Sequence, residues 1–235
     1  MMKKNLLAIM MASLMLVTIF SVINVSAQSG TDVAILRHFQ PVDDDPTNTE
    51  SIQQRIDDAD PGDTIVIESG TYTENIVINK EGITLRSEDG PTKTIIDGGG
   101  SGVVIKIETD SVSIYGFTIK NGDVGVNFVS GTVHILINNI ISDNDIGVKI
   151  NGFRTTLIYA NDFKNNNQNA NDETDGNTWS QNFWDDYNGV DNDGDGFGDT
   201  PYDISNEASD PEPKMDAYFK SKSSSGGMIT IPIHP

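Results

Sequence analysis

An internal repeat of about 22 residues constrains this 235-residue chain more than any other feature, because each such unit is too small to bury an apolar face alone. IKNGDVGV from Ile119 aligns with ISDNDIGV from Ile141, pairing Gly125 with Gly147 and Val126 with Val148. One more step puts Phe163 after Ile119 and Ile141, and Asn161 after Asn139; a slightly shorter step adds Trp184 and Asn182 to the same columns. Upstream, Ile65 and Ile67, Ile76 and Ile78, Ile83 and Leu85, Ile105 and Ile107, and Val112 and Ile114 alternate with polar residues. These runs have period two, are too short for helices, and are parted by Gly, Asn and Asp, so they predict many short strands.

The pattern predicts an all-β fold: a single-stranded right-handed parallel β-helix of about 4–5 coils, with a short N-terminal capping helix and a C-terminal acidic metal loop. Coils would stack about 4.8 Å apart, with Ile119, Ile141 and Phe163 in one inward column. Leucine-rich repeats have a similar period, but their spaced leucines are missing. Identical amides at Asn139, Asn161 and Asn182 would then meet and bond to one another and to backbone freed at the bend. The alternative is that these Asn only tolerate turn geometry.

An open β-helix exposes unpaired strand edges at both ends. Ile52, Ile56 and Ala59 fall at helical spacing, with Asn48 or Thr49 as N-cap and Pro61-Gly62 as the stop, predicting a capping helix over 48–61. The coils would occupy 62–189, followed by a calcium-type loop and cap over 190–219 and a tail over 220–235. Trp179, Phe183, Trp184 and Tyr187 follow the last repeat and are expected to close the core; sugar stacking is their alternative role.

Within QNFWDDYNGVDNDGDGFGDTPYDI, Asp191, Asp193 and Asp195 stand two apart with Gly196 next, an arrangement that gathers hard oxygen ligands around one cation. Calcium is the expected ion, since magnesium prefers a compact octahedron and keeps its waters. Counting from Asp191, the Phe197 carbonyl and Asp199 are further candidate ligands. The last position of an EF-hand loop would be Tyr202 instead of a bidentate Glu, and no amphipathic helix precedes Asp191. The arrangement therefore resembles a free-standing Asp loop, with Asp203 or Asp186 available to complete the shell, and a solvated acidic turn is the alternative.

Lys3 and Lys4, the apolar run from Leu6 to about Val25, and the small-residue site at Val25-Ser26-Ala27 predict a signal peptide over 1–27 and a leader over 28–47. An uncleaved anchor is the alternative, and either way the protein is expected to be exported: periplasmic, extracellular or on the cell surface. Net charge is −20, which argues against nucleic acid and anionic lipid as partners. No membrane contact is expected beyond the signal segment. Between Asp162 and Asp216 the acids are opposed only by Lys164 and Lys214, and cysteine is absent, so packing and metal must do the work of disulfides.

With coils and ending in view, the chain resembles the NosD-like, or CASH-type, right-handed parallel β-helix proteins of the pectin lyase-like superfold. ADPGDTIVIESGTYTENIVI from Ala59 is similar to their first coil, and NFWDDYNGVDNDGDGFGDTPYDI to their usual ending. The resemblance spans about Ser51 to Phe219 and implies the fold more strongly than an activity, because the group includes a periplasmic factor linked to copper-site assembly alongside many surface proteins.

Copper delivery requires soft or imidazole ligands. After the signal the chain has Met215, Met228, His38, His134 and His234, which are scattered. A polysaccharide lyase or hydrolase would need a basic residue beside bound calcium, or two carboxylates at glycosidase separation. Arg86 and Arg154 lack an adjoining acidic cluster, and Asp185 and Asp186, as neighbours on a strand, would face apart. The sequence thus predicts a non-catalytic, monomeric binding or structural surface module with no catalytic residues. Its partner would be a polysaccharide or cell-envelope protein, bound along outward Asn121, Asp143 and Asn165. A NosD-like copper-maturation factor and a polysaccharide-acting enzyme are the alternatives.

Overall fold

The computed structural model describes residues 50–152 and 155–220. The expected signal segment and leader, Asn48 and Thr49, Arg154, and the tail beyond Lys220 lie outside them. Among the described residues, one helix and nineteen strands follow in chain order. The helix, α1, spans Ile52–Asp58. Five coils carry three strands each: β1 Thr64–Ile67, β2 Gly70–Thr73 and β3 Ile76–Ile78; β4 Thr84–Ser87, β5 Thr94–Asp97 and β6 Val103–Glu108; β7 Ser113–Tyr115, β8 Thr118–Lys120 and β9 Val124–Ser130; β10 Ile135–Ile137, β11 Ile140–Ser142 and β12 Ile146–Ile150; β13 Leu157–Tyr159, β14 Asp162–Lys164 and β15 Gln168–Asp172. A partial sixth coil has β16 Thr178–Ser180 and β17 Phe183–Trp184, and a hairpin of β18 Tyr202–Asp203 and β19 Ser209–Asp210 closes the molecule.

Every third strand pairs in parallel with its counterpart one coil away, giving three lateral sheets of six, six and five strands. Ile119 pairs with Ile141 and Ile141 with Phe163, as the repeat requires, and Phe163 pairs with Trp184. All four side chains are buried. In three-residue strands only the central side chain points inward, so each coil adds a layer of branched aliphatics to one continuous core.

Between strands the backbone must bend, and its N–H groups then leave the ladder. Asparagine side chains supply the acceptors. Asn182 Oδ1 accepts from Asn161 N and Nδ2, both at 3.0 Å, and Asn161 Oδ1 accepts from Asn139 N and Nδ2 at 3.0 and 3.1 Å. Asn139 Oδ1 in turn takes Phe117 N. All three Asn are fully buried, so the amide column is a ladder rather than a run of turn formers. A second ladder stands at the next bend: Asn166 Oδ1 accepts from Asn144 N and Nδ2, and Asn144 Oδ1 accepts from Gly122 N. Its bulk explains the paired glycines, since a Cβ on Gly125 would lie 2.6 Å from Gly147 O and 2.9 Å from Asn144 Nδ2.

The preceding residue at each bend is left-handed: φ is 57°, 56° and 56° at Asn121, Asp143 and Asn165. Asn and Asp tolerate that conformation best among residues with a Cβ. The row expected to face a ligand is thus first a column of bend residues.

Helix α1 covers the first coil, starting later than expected because Ser51, not Asn48 or Thr49, is the N-cap: its Oγ accepts from Gln54 N. It also stops at Asp58, short of Pro61-Gly62. Glu74 takes the N–H groups of Ile52 and Gln53. The Gln53 amide bonds both the N–H and the carbonyl of Val77 at 2.7 and 3.2 Å, so one side chain stands where a strand beside β3 would be.

At the other end, β18 and β19 pair antiparallel with Tyr202 opposite Asp210. Tyr202 stacks on Trp184 at 4.1 Å, and Trp184 on Phe163 at 4.3 Å, each within 9° of parallel. Asp210 extends the first amide ladder: it accepts from Asn182 N and Nδ2, Gln181 N, Trp184 Nε1 and Glu212 N. One two-residue hairpin therefore imitates the next coil in both columns. Trp179 and Trp184 are buried as core residues, with the Trp179 indole donating to fully buried Asp172.

Two outcomes follow from these columns. Asn161→Ala should cost about 3 kcal/mol or more in urea unfolding, because Asn139 N–H and the Leu136 carbonyl lose buried partners. Asn165→Ala, at an exposed bend, should cost about 1–2 kcal/mol. Burial pushes the Tyr202 hydroxyl up to about 12, with the Asp186 and Asp185 carboxylates adding to it. The unfolded chain releases that proton near its ordinary value, so the contribution is intact below pH 10 and is lost as pH rises toward 12. Melts across pH 9–11.5 should fall less steeply for Tyr202→Phe than for the parent.

Candidate metal loop and lateral clefts

The acidic loop is bonded to the cap at two backbone points, and the cap to the last coil at a third. Gly198 N donates to Pro213 O, Met215 N to Gly196 O, and Lys214 N to Asn182 O on the last coil. Lys214 further lays its ammonium 4.3 Å from the Phe197 ring centre and on Gly196 O at 3.1 Å. A distortion of the loop is therefore passed directly to the amide ladder.

Inside the loop, successive carboxylates fold the backbone around themselves. Asp191 Oδ1 and Oδ2 accept from Gly194 N and Gly196 N, Asp193 Oδ1 from Asp195 N, and Asp195 Oδ1 from Phe197 N. Gly194 and Gly196 take the left-handed turns, with φ of 76° and 87°. Desolvation works to raise the Asp191 carboxyl, but the amides of Gly196, Gly194 and Asp195 hold it below the ordinary range. One oxygen each from Asp191, Asp193 and Asp195 lies within 4.8 Å of the others, the only such group of His, Cys, Asp or Glu among the described residues. These are hard oxygen donors at the loop rim, a set suited to calcium.

The other candidates make contacts of their own. Asp199 accepts from Asn192 N at 2.8 Å and from its amide, so it braces the loop from the far side of Asn192. Phe197 donates to Asp195 through its N–H and bridges to Lys214. Asp186 holds Asn169 Nδ2 and the Tyr202 hydroxyl, and Asp203 lies in β18. Asp185 and Asp186 do not face apart as strand neighbours would: β17 ends at Trp184, and both carboxylates accept from Asn169 Nδ2 at 3.3 and 2.9 Å.

Two lateral clefts lie beside the coils. One, of about 390 Å³, is walled by Asp97, Asn121, Asp123, Asp143 and Asp145. Its acids serve the bends: Asp97 receives the Asn121 amide at 3.0 and 2.9 Å, Asp123 takes Gly102 N, and Asp145 takes the Asn167 amide. The other, of about 460 Å³, lies between Arg86, Tyr115 and Asn138 on the coils and Tyr218 and Phe219 of the returning chain. His134, the one histidine among the described residues, is buried against Phe128, and its Nδ1 accepts from Val112 N at 3.3 Å.

Asp210, Asp162, Lys214 and the Asn144–Asn166 ladder were not singled out by sequence. The ladder shares the repeat offset and was available to the same alignment; Asp210 and Asp162 carry no periodic mark.

A search of curated proteins finds no significant match. Among solved structures, the chain is similar to a pectin methylesterase in complex with a hexasaccharide, at 16% identity, 52% coverage of each chain and a TM-score of 0.38. It is also similar to an alginate lyase from Paenibacillus sp. str. FPU-7, at 14% identity over 56% of this chain and 62% of that one, with a TM-score of 0.36. The protein ORF18 of Geobacillus virus E2 matches at 19% identity over 56% and 37%, with a TM-score of 0.33. This chain thus spans about half the length of that methylesterase, and the likenesses assign no activity. The sequence profile of the family described as "Periplasmic copper-binding protein (NosD)" matches residues 45–189, more than half of the chain and every complete coil. The coils, their bend ladders and this match together place the chain in the NosD family.

Proposed function

We propose that this chain is an exported, non-catalytic β-helix that acts as a binding or structural module of the cell envelope, with a C-terminal cap stabilised by calcium. The convergence of Asp191, Asp193 and Asp195 on a loop bonded to the last coil carries the reading of the cap. Bound calcium would neutralise three carboxylates that otherwise repel one another in a chain of net charge −20. Export is supported by the Lys3-Lys4 start and its apolar run, and by the family's periplasmic description. No described helix is long and apolar enough to cross a membrane. A polysaccharide or an envelope protein is the expected partner, met by a monomer.

The family description favours a second reading, an accessory role in copper metalloprotein maturation. Its chemistry finds little support in the described residues: His134 is buried and engaged, and the convergent donors are carboxylates, which suit harder ions than copper(I). A role there would rest on protein contact instead of a tight copper site. Against the enzyme reading, Arg86 is exposed on the outer face of β4, and the convergent carboxylates number no basic side chain among them.

Calcium at about a hundred times its dissociation constant should raise the melting temperature by roughly 5–10 °C, and chelator should reverse the rise. The double variant Asp193→Asn and Asp195→Asn should melt without response to calcium. An unchanged parent midpoint, with no heat of binding by calorimetry, would leave a solvated acidic turn. Pectin, alginate and neutral glucans should yield no unsaturated or reducing ends, and release abolished by Arg86→Ala or Asp185→Asn would establish an enzyme.

A further inference from the structure

The two lateral clefts differ in what their polar side chains already do. In the acidic one, Asp97, Asp123 and Asp145 are bonded across the bends. The second, of about 460 Å³, is lined by Arg86, Glu88 and Asn138, all three exposed. Among the described residues their side chains have no hydrogen-bond or ion-pair partner. Arg55, by contrast, is engaged by Glu68 at 2.8 Å and by the Val66 carbonyl at 3.1 Å. Exposed polar groups alone are ordinary surface, but here they stand beside three aromatic rings, those of Tyr115, Tyr218 and Phe219.

Both walls are tied to the coils. On one side Tyr115 of β7 pairs in register with Arg86 of β4. The turn after β4 is pinned from within: Ser87 Oγ is bonded to Thr94 Oγ1 at 2.7 Å and accepts from Gly90 N at 2.9 Å, while Thr118 Oγ1 donates to Pro91 O at 2.6 Å. On the other side, fully buried Asp162 accepts Tyr218 N at 2.9 Å through one oxygen and Phe219 N at 3.0 Å through the other. Lys164 bonds Asp162 and the Phe219 carbonyl, and the Tyr218 hydroxyl donates to Gln181 O. Asp162 and Lys164 thus clamp the returning chain, so the aromatic wall is in place beforehand and the ordering cost of binding is low.

The lining chemistry narrows the ligand. Among the described residues that line the cleft, Arg86 is the one cation and Glu88 the one acid, so the site is locally neutral in a chain of net charge −20. Nothing in the cleft offsets the repulsion such a chain exerts on a polyanion. Arg86 offers donors in a planar fork, Glu88 offers acceptors, and Asn138 offers both. A partner that satisfies all three carries hydroxyls, each able to donate and accept, around an apolar body that packs on the rings. A pyranose has that form, with C–H groups on its face and hydroxyls on its rim. The volume falls in the range of roughly 300–1,000 Å³ common to small-ligand sites. Glu88 has no second carboxylate across the cleft, and hydrolysis of a glycosidic bond ordinarily needs a pair.

We infer that this cleft binds an uncharged saccharide chain, stacked on Tyr115, Tyr218 and Phe219 and hydrogen-bonded by Arg86, Glu88 and Asn138. The inference rests on the reading of the chain as a binding module and names its partner class. It also moves the contact from the row of Asn121, Asp143 and Asn165, whose residues form the bends, to the cleft of Arg86 and Tyr115.

Affinity electrophoresis of the full-length protein tests this, in gels containing hydroxyethylcellulose, galactomannan or laminarin, with polygalacturonate and alginate as charged comparators. At least one neutral polymer should retard the parent more than either polyanion does. Arg86→Ala and Tyr115→Ala should each raise the apparent dissociation constant about tenfold, the ratio that about 1.4 kcal/mol gives. Arg86 is exposed, so its loss spares the fold, and an unchanged melting temperature checks the same for Tyr115→Ala. Lys149→Ala, on the outer face of β12, should bind as the parent does. Retardation by none of the neutral polymers, or stronger retardation by the polyanions, would overturn the inference. Retardation that survives both cleft variants would overturn the cleft while leaving the binding-module reading intact, whereas release of reducing ends abolished by Glu88→Gln would overturn both.

Discussion

The bend hydrogen bond is the interaction on which this fold depends. Parallel strands three residues long satisfy their backbone by stacking, but a coil must turn three times, and at two of these bends an N–H points along the axis toward the next coil with no carbonyl opposite. An Asn side chain in that coil answers it, since its oxygen accepts while its nitrogen donates to the carbonyl of a strand one coil back. Asn161 also donates to Asn182 Oδ1 in the coil beyond, so each rung ties three coils. The requirement explains why the repeat is strict in its second half, where both ladders run, and looser before Phe117, where glycines and Ser87 make the turns. It also explains why the cap must end in an acceptor: the last Asn has two donors left over, and Asp210 takes both.

Much of this was legible in sequence because it is periodic. The column of Ile119, Ile141, Phe163 and Trp184, the amide ladder and the core role of both tryptophans all repeat at one offset, and repetition is what stacking needs. The parts that were misjudged are where periodicity stops. Helix α1 begins at Ser51 because Glu74, on the first coil, supplies acceptors to its first turn, a tertiary contact that no local cap signal carries. Asp185 and Asp186 read as strand neighbours, but the chain turns immediately after Trp184 and brings both to Asn169. The row Asn121, Asp143 and Asn165 was seen as outward polar residues, which it is, while its left-handed backbone gives those residue types a reason to recur without any ligand.

Within the candidate site the split is similar. The alternation of Asp191, Asp193 and Asp195 translates into convergent oxygens because each carboxylate accepts an N–H two to five residues ahead, curling the loop about one point. Asp199 accepts from Asn192 N and Nδ2 through one oxygen, in a loop closed through Asp199 N and Val190 O.

The cap, the metal loop and the clamp act through one strand, residues 210–219, and that arrangement bears on what the protein can do. Asp210 closes the amide ladder, Lys214 joins the loop to the last coil, and Tyr218 and Phe219 lie on Asp162 one coil further back. A cation on the loop would therefore stiffen the same backbone that places the aromatic wall of the lateral cleft. In an acidic protein without disulfides this concentrates stabilisation at the end opposite α1 and on the β14 side of the fifth coil. The ends, in such a molecule, serve to keep the stack closed.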